Sequence, residues 1–419
     1  MQFLRFCCAA LLLAAGCTTP PVLNEPAPMP ERVPSVPQTL APTGDPGTTS
    51  APSSLSPPGP SASIPRYERV AWSDLPDWGA EVSTEAWQAW IRNCGALRAQ
   101  PVWQRICADA KGIATGDGLA QQRYFEAHFT PHRLANPDGT LTGMVTGYYE
   151  PLLLGSRRRT ARFRYPLYAP PPDLLTVDIA EVNPELKDKR VRGRVLPPQQ
   201  GGRVVPYYAR AEIASGAAPV KGREIAWVED PIELFFLQVQ GSGRIRLPDG
   251  SLMRVGYADH NGHPYRSIGR WLVDRGELPL EQASMQGIKV WVKRNPERIN
   301  ELLNQNPSYV FFRELPAGPP DDGPPGSLGV PLTTGRSIAV DPRSVPLGAP
   351  VYLSTTWPLS ARPLQRLVLA QDTGTAIRGT VRADFFWGFG AEAAEQAGRM
   401  KQSGRMWLLW PTGEPLPAG

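Results

Sequence analysis

The texture of hydrophobic and polar positions changes several times along the chain. Met1–Gly16 is an apolar run carrying one Arg at position 5, too short to persist as a membrane-spanning helix. From Thr18 to Ser63 large apolar residues are sparse and Pro, Ser and Thr dominate, which predicts an extended or disordered segment. Between Thr84 and about Phe129 apolar residues recur at helical spacing, with Gly or Pro at the breaks. Trp87, Trp90, Ile91 and Cys94 share one face; after a break near Ala99 and Pro101, Trp103, Ile106 and Cys107 share another.

From Gly143 short apolar or alternating runs bounded by Gly, Pro, Asn and Asp take over. They predict strands at Met144–Tyr149, Val191–Leu196, Leu234–Val239, Arg244–Leu247 ahead of the turn Pro248-Asp249-Gly250, and Leu252–Tyr257. Helical spacing returns at Ser267–Arg275, Leu280–Arg294 and Pro296–Asn304, the last with Pro in its first turn. Strands are then expected at Ser337–Val340, Pro350–Leu353, Leu367–Ala370 and Met406–Trp410. Helices and strands in blocks, without strict alternation, predict an α+β chain, mostly β, rather than a doubly wound sheet. The part from Arg66 onward is longer than one hydrophobic core usually serves, which favours two domains. The Pro/Gly-rich stretch from Leu315 to Gly329 reads as a loop near a domain junction, leaving about the last 90 residues as one compact β unit.

The first residues read as an address. Met1–Gly16 has the plan of a secretory signal peptide, and Leu13-Ala14-Ala15-Gly16-Cys17 resembles the bacterial lipobox, with Ala14 where Leu is usual. An ordinary signal peptide containing cysteines is the alternative. A lipidated Cys17 followed by a Pro/Ser-rich tether (17–65) would hold a folded body off a membrane. Thr18 is not the Asp that signals inner-membrane retention in enterobacterial lipoproteins, so the expected location is the outer membrane, facing the periplasm. Of the five cysteines, Cys7 and Cys8 leave with the signal and Cys17 is lipidated. Cys94 and Cys107 then remain in an oxidising compartment, and the helical faces that carry them can bring them together as a disulfide; two buried thiols are the alternative.

Charge and motifs exclude several classes. With 44 Lys+Arg against 39 Asp+Glu the net charge is +5, and no basic run interleaved with aromatics suggests nucleic acid. Four His form no metal-ligand pattern, Ser242 lacks a nucleophile elbow, and no phosphate-binding glycine loop is present, so no cofactor or metal is expected. The densest candidate chemistry is Ala370–Gly390, AQDTGTAIRGTVRADFFWGFG. Asp384 precedes three aromatics, a composition suited to a carboxyl that keeps its proton near neutral pH. Asp372 ends an apolar run before Thr373-Gly374, and Asp341 sits in AVDPRSVPLG; read locally, all three acids are equally turn or cap residues. The stretch Gln238-Val239-Gln240-Gly241-Ser242-Gly243 reads as a strand entering a tight Gly turn, and Thr146–Pro151 (TGYYEP) gathers Thr, two Tyr and Glu. Amides, hydroxyls and aromatic faces of this kind suit a sugar cleft; each segment alone is also a hairpin with core aromatics.

Together, TGYYEP, YYARAEI from Tyr207, LFFLQVQGSGRIRLPDG from Leu234, NGHPYRSIGRWLVDRGEL from Asn261, QNPSYVFF from Gln305, AVDPRSVPLG and AQDTGTAIRGTVRADFFWGFG resemble the membrane-bound lytic murein transglycosylase A family, in the family's order. The resemblance implies a double-psi β-barrel domain built from 66–150 plus 312–419, with helices, a smaller β domain inserted at 151–311, and a groove between them. It also implies cleavage of the β-1,4 bond between N-acetylmuramic acid and N-acetylglucosamine without water, leaving a 1,6-anhydromuramic end. Carried over residue by residue, Asp384 is the catalytic acid and Asp372 and Asp341 support it; Thr146, Gly147, Tyr148, Gln240, Gly241 and Ser242 bind substrate. The implied partners are peptidoglycan glycan strands, a membrane reached through the lipid anchor, and cell-wall synthesis complexes. The chain departs from the family's Asp-x-Gly-Gly pattern at Asp372-Thr373-Gly374-Thr375. A hydrolase of the same bond and a non-catalytic wall-binding lipoprotein are the competing readings.

Overall fold

The structure is a computed structural model that describes residues 66–80, 84–179, 181–183, 191–319, 321–374 and 376–417. The expected signal peptide, Cys17, the Pro/Ser-rich tether and Thr375 lie outside the described residues. β1 (Arg66–Arg69) leads into α1 (Thr84–Leu97), α2 (Pro101–Ala110) and α3 (Gly118–His128), followed by β2 (Phe129–Ala135) and β3 (Gly143–Glu150). Next come β4 (Leu152–Ser156), β5 (Tyr165–Tyr168), β6 (Leu175–Val177), β7 (Val191–Val195), β8 (Val204–Pro206), α4 (Arg210–Ser215), β9 (Glu224–Val228), α5 (Pro231–Gln240), β10 (Ser242–Arg246) and β11 (Leu252–His260). After α6 (Ile268–Asp274), α7 (Met285–Arg294), α8 (Ile299–Leu303) and β12 (Val310–Glu314), the chain ends in β13 (Ser337–Val340), β14 (Pro350–Thr356), β15 (Pro363–Thr373), β16 (Ala383–Phe389), α9 (Gly390–Arg399) and β17 (Lys401–Pro411).

The apolar faces after Thr84 form helices whose tryptophans fill the principal core. Trp87, Trp90 and Trp103 are almost wholly buried, and Trp103 meets Trp410 of β17 edge to face at 5.4 Å. Pro101 opens α2, where its missing N–H costs nothing. A disulfide joins Cys94 to Cys107 across α1 and α2, with Cα atoms 5.2 Å apart. On the same side of the core, Asn93 donates to the carbonyl of Gly348 at 2.9 Å and accepts from Gln371 Nε2 at 2.6 Å, tying α1 to β15.

Six strands close into a barrel in the order β17-β14-β15-β13-β16-β3, with β3 pairing back onto β17. The β13–β15 and β16–β3 pairs are parallel and the other pairs of the ring are antiparallel. Closure leaves these strands no free edge; β2 and then β1 extend the sheet from β17. A second sheet, β12-β11-β10-β4-β9-β5, packs on a separate core that includes Leu153, Leu167, Val228, Leu237, Ile245 and Phe312. Helices α5 to α8 share another apolar cluster around Phe235, Leu272 and Trp291, and β6, β7 and β8 form a small third sheet. Among the described residues no helix is long and apolar enough to cross a membrane.

Two sequence expectations are corrected. Leu234–Val239, expected as a strand, lies in α5: Asp230 accepts from the N–H groups of Ile232 and Glu233, Pro231 occupies the first turn, and Gly241 ends the helix in the left-handed region at φ +80°. A short run apolar on all sides does not distinguish strand from helix by periodicity, and here the flanking caps decide. The last stretch is also not a self-contained β unit, because the barrel closes only through β3 and it includes the unexpected helix α9.

The bridge between Cys94 and Cys107 spans a separation of 13 residues. For a loop of that size, replacing both cysteines by alanine is expected to cost about 3 kcal/mol of stability, measured by urea denaturation of oxidised parent and variant; an unchanged midpoint would show that the bridge does not stabilise the fold.

Candidate active site

Strand register builds the site. Asp372 of β15 pairs with Ala339 of β13, Ala339 pairs with Asp384 of β16, and Asp384 pairs with Thr146 of β3. A transverse row of this kind puts its side chains on one face, and two strand spacings separate the acids by about 10 Å at the backbone. The neighbours of Asp384 in β16, Ala383 and Phe385, turn into the principal core. On the acids' side, Ala339, Tyr148, Phe386, Leu332 and Ile377 form an apolar cluster, with Tyr148 and Phe386 rings 5.2 Å apart.

Asp384 is half-buried and accepts a hydrogen bond from Thr146 Oγ1 at 2.5 Å. Burial pushes its carboxyl up to about 6; the Thr146 bond and the Arg382 guanidinium oppose that rise, and the negative charge of Asp372 adds to it. Arg382 donates to Thr146 Oγ1 at 2.9 Å and to the Met144 carbonyl at 3.3 Å, so one hydroxyl links the cation to the acid. Burial holds the Arg382 guanidinium below its ordinary value.

Asp372 is surrounded by donors. Its Oδ1 accepts from the backbone and hydroxyl of Ser327, at 3.0 and 2.9 Å, and from the Thr373 N–H at 2.9 Å, while Oδ2 accepts from the Tyr148 hydroxyl at 3.2 Å. Burial raises its carboxyl above the usual carboxylate value, and these donors work against the rise. The Tyr148 phenol is pushed well up by burial and by the two acids, so it stays a donor. Asp341 is almost fully buried. Burial pushes it up, but the Arg343 guanidinium and the N–H groups of Gly379 and Arg343 outweigh that and hold it below the usual carboxylate value. Asp341 therefore anchors the turn after β13 to the segment ahead of β16.

Of the expected binding residues, Thr146 and Tyr148 reach the two acids directly. Gly147 faces the other way: a Cβ there would come within 2.7 Å of Trp387 Nε1 and 2.9 Å of Ala397 Cα, so the glycine admits the indole and α9. Gln240, at the end of α5, accepts from the Tyr149 N–H through Oε1 at 3.1 Å and thereby touches β3. Gly241 is the turn after it, and Ser242 opens β10 opposite Gly256. Sequence reading missed Arg382 and Ser327. Arg382 carried a usable signal, since it is a cation two residues before Asp384; Ser327 carried none. Among the described residues no cluster of three or more His, Cys, Asp or Glu could hold a metal ion. Chemically, the site offers one acid titrating near neutrality, a second carboxylate two strands away, and an apolar floor between them.

Residues 144–313 match the MltA specific insert domain, and residues 336–410 match the 3D domain. The chain is 36% identical to membrane-bound lytic murein transglycosylase A of Escherichia coli (strain K12) over 271 residues, covering 63% of this chain and 64% of that protein; it thus spans a little under two thirds of that relative. Among solved structures, MltA from Neisseria gonorrhoeae superposes with a TM-score of 0.74 at 39% identity, covering 86% of this chain and 98% of that one. The lytic transglycosylase LtgG of Burkholderia pseudomallei is 51% identical, with a TM-score of 0.57 over 83% of this chain and 96% of that one. E. coli MltA with bound chitohexaose is 28% identical, with a TM-score of 0.58 over 78% and 90%. By its matched domains, its sequence identity and its shared fold, the chain belongs to the membrane-bound lytic murein transglycosylase A family.

Proposed function

We propose that the protein is a lytic transglycosylase that cleaves the β-1,4 bond between N-acetylmuramic acid and N-acetylglucosamine in peptidoglycan. The reading is carried by Asp384, a half-buried carboxyl pushed up to about 6 beside the Thr146 hydroxyl and the Arg382 guanidinium. Its protonated form donates to the glycosidic oxygen as the C1–O bond breaks, leaving positive charge on the sugar. The resulting carboxylate then takes the proton of the sugar's own C6 hydroxyl as O6 closes onto C1. No water is consumed, and the proton lost in the first step is recovered in the second. A hydrolase would instead place a second carboxylate to activate water. Here Asp372 already accepts four hydrogen bonds and stands in a supporting role, as does Asp341. Gln240, Gly241 and Ser242, with Thr146, Gly147 and Tyr148, would line or shape the sugar path. The solved E. coli MltA complex holds chitohexaose, a glucosamine-type oligomer, which supports a glycan in this fold.

The same proposal takes the barrel to be of the double-psi kind, with 151–311 inserted into it, a groove between the two, and 66–150 plus 312–419 as the catalytic domain. It takes residues 1–16 as a signal peptide and Cys17 as the lipid anchor to the outer membrane, on the periplasmic side, where cell-wall synthesis complexes are available as partners.

Mass spectrometry of muropeptides released from purified sacculi by the full chain is expected to show products one water lighter than hydrolysis products, and Asp384→Asn is expected to abolish them. Reducing ends would make the enzyme a hydrolase; digestion surviving in Asp384→Asn would remove Asp384 from its role. A finer check is Thr146→Val. The Thr146 hydrogen bond favours ionised Asp384, so losing it raises the carboxyl further, and the limb on which activity falls with rising pH is expected to move up by about one unit. A pH–rate profile with the limb unmoved would mean that the bond does not set the acid.

A further inference from the structure

The Pro/Gly-rich stretch that reads only as a loop in the sequence has a defined build. Gly323 N–H donates to Leu332 O at 3.0 Å, Leu332 N–H to Pro324 O at 2.9 Å, and Gly326 N–H to Val330 O at 2.9 Å, with Pro325 and Pro331 bridged between them. The result is a narrow hairpin. Its tip lies on the end of β15: Leu328 N–H donates to Gln371 O at 3.0 Å, and Ser327 supplies two of the donors on Asp372. Gly326 is needed for this approach, since a Cβ would come within 2.4 Å of the Gln371 carbonyl.

The base of the hairpin is held by the second sheet. Arg244 of β10 donates to Asp322 O at 3.0 Å, and Arg254 of β11 donates to Asp322 O and Gly323 O at 3.1 and 2.6 Å. Arg244 is fixed in turn by an ion pair at 2.8 Å with Glu150, both side chains buried, and by the Phe389 ring 4.0 Å from its guanidinium carbon. Arg92 of α1 pairs with the Asp322 carboxylate at 2.9 Å from the other side.

We infer that this hairpin is a positioning device through which Arg244 and Arg254 of the second sheet hold the Ser327 donors on Asp372 and so set how strongly that carboxyl acts on Asp384. The inference rests on the catalytic reading of Asp384. The charged and titratable groups around the acid are Asp372 on β15, Arg382 just ahead of β16, Tyr148 on β3 and, one strand further along the row, Lys401 on β17. Asp372 is the one negative charge among them that raises the proton affinity of Asp384. Complete loss of a charge about 10 Å away lowers a carboxyl by about one unit.

The test is the pH–rate profile of anhydromuropeptide release by the full chain. Asp372→Asn sets the scale, with the falling limb expected about one unit lower. Ser327→Ala, on an exposed residue, keeps the backbone donor and is expected to shift the limb in the same direction by a fraction of that. Arg254→Lys, which keeps the charge but loses the planar fork, is expected to shift it likewise, with no further movement when combined with Ser327→Ala. A limb unmoved in Ser327→Ala overturns the inference, as does an Arg254→Lys variant slower at every pH with its limb in place. Anhydro products persisting in Asp384→Asn would instead overturn the proposed mechanism, whatever the hairpin variants show.

Discussion

The site depends on one register. β16 lies between β13 and β3, antiparallel to one and parallel to the other, and that pairing brings Asp384 beside Thr146 and in line with Asp372. Side chains alternate across a strand, so a slip of one residue would exchange Asp384 for Ala383 or Phe385 and turn the acid into the principal core. The register is held by what lies on both sides of the sheet: Val145, Ile338 and Phe385 inward, and Tyr148, Ala339 and Phe386 outward. Gly147 adds a shape constraint, because only a residue without a side chain lets Trp387 and α9 close over β3.

Within that frame the acids are differentiated by their surroundings. Asp341 is nearly buried yet held low by a guanidinium and backbone N–H groups, which suits a structural anchor. Asp372 is raised by burial and pulled back by its donors. Asp384 has a hydroxyl and an arginine against burial and the charge of Asp372, and it ends near neutrality. The same residue type thus meets three different environments, because desolvation is opposed by different numbers of partners.

Much of this was legible in the sequence, for identifiable reasons. The tryptophans at helical spacing and the apolar runs of β13, β14, β15 and β17 announce themselves because burial on one face or two imposes a period. The aromatic run after Asp384 marks a carboxyl in an apolar setting. The segment Leu234–Val239 was misread because an apolar run of that length has no period to read, although Asp230-Pro231 and Gly241 carried the helix ends. The closure of the barrel through β3 and the hydrogen bonds of Ser327 left no trace in the periodicity. They join residues far apart in the chain, Ser327 and Asp372 being separated by 45 positions, and single-sequence patterning records only neighbours.

Barrel closure also orders the making of the molecule. The ring pairs β3 with β17, so Thr146 and Lys401 must meet across most of the folded chain, while β10–β11 and β14–β15 are joined by short connections. Loop-closure entropy places local pairings first and the long-range pairings of β17 with β2 and β3 last. Until β17 arrives, β3 presents an open strand edge, the kind of surface that recruits other chains. The second sheet has a core of its own and can form in that interval, so the burden of protecting the nascent chain falls on a single strand, β17, whose arrival covers β14, β2 and β3 together.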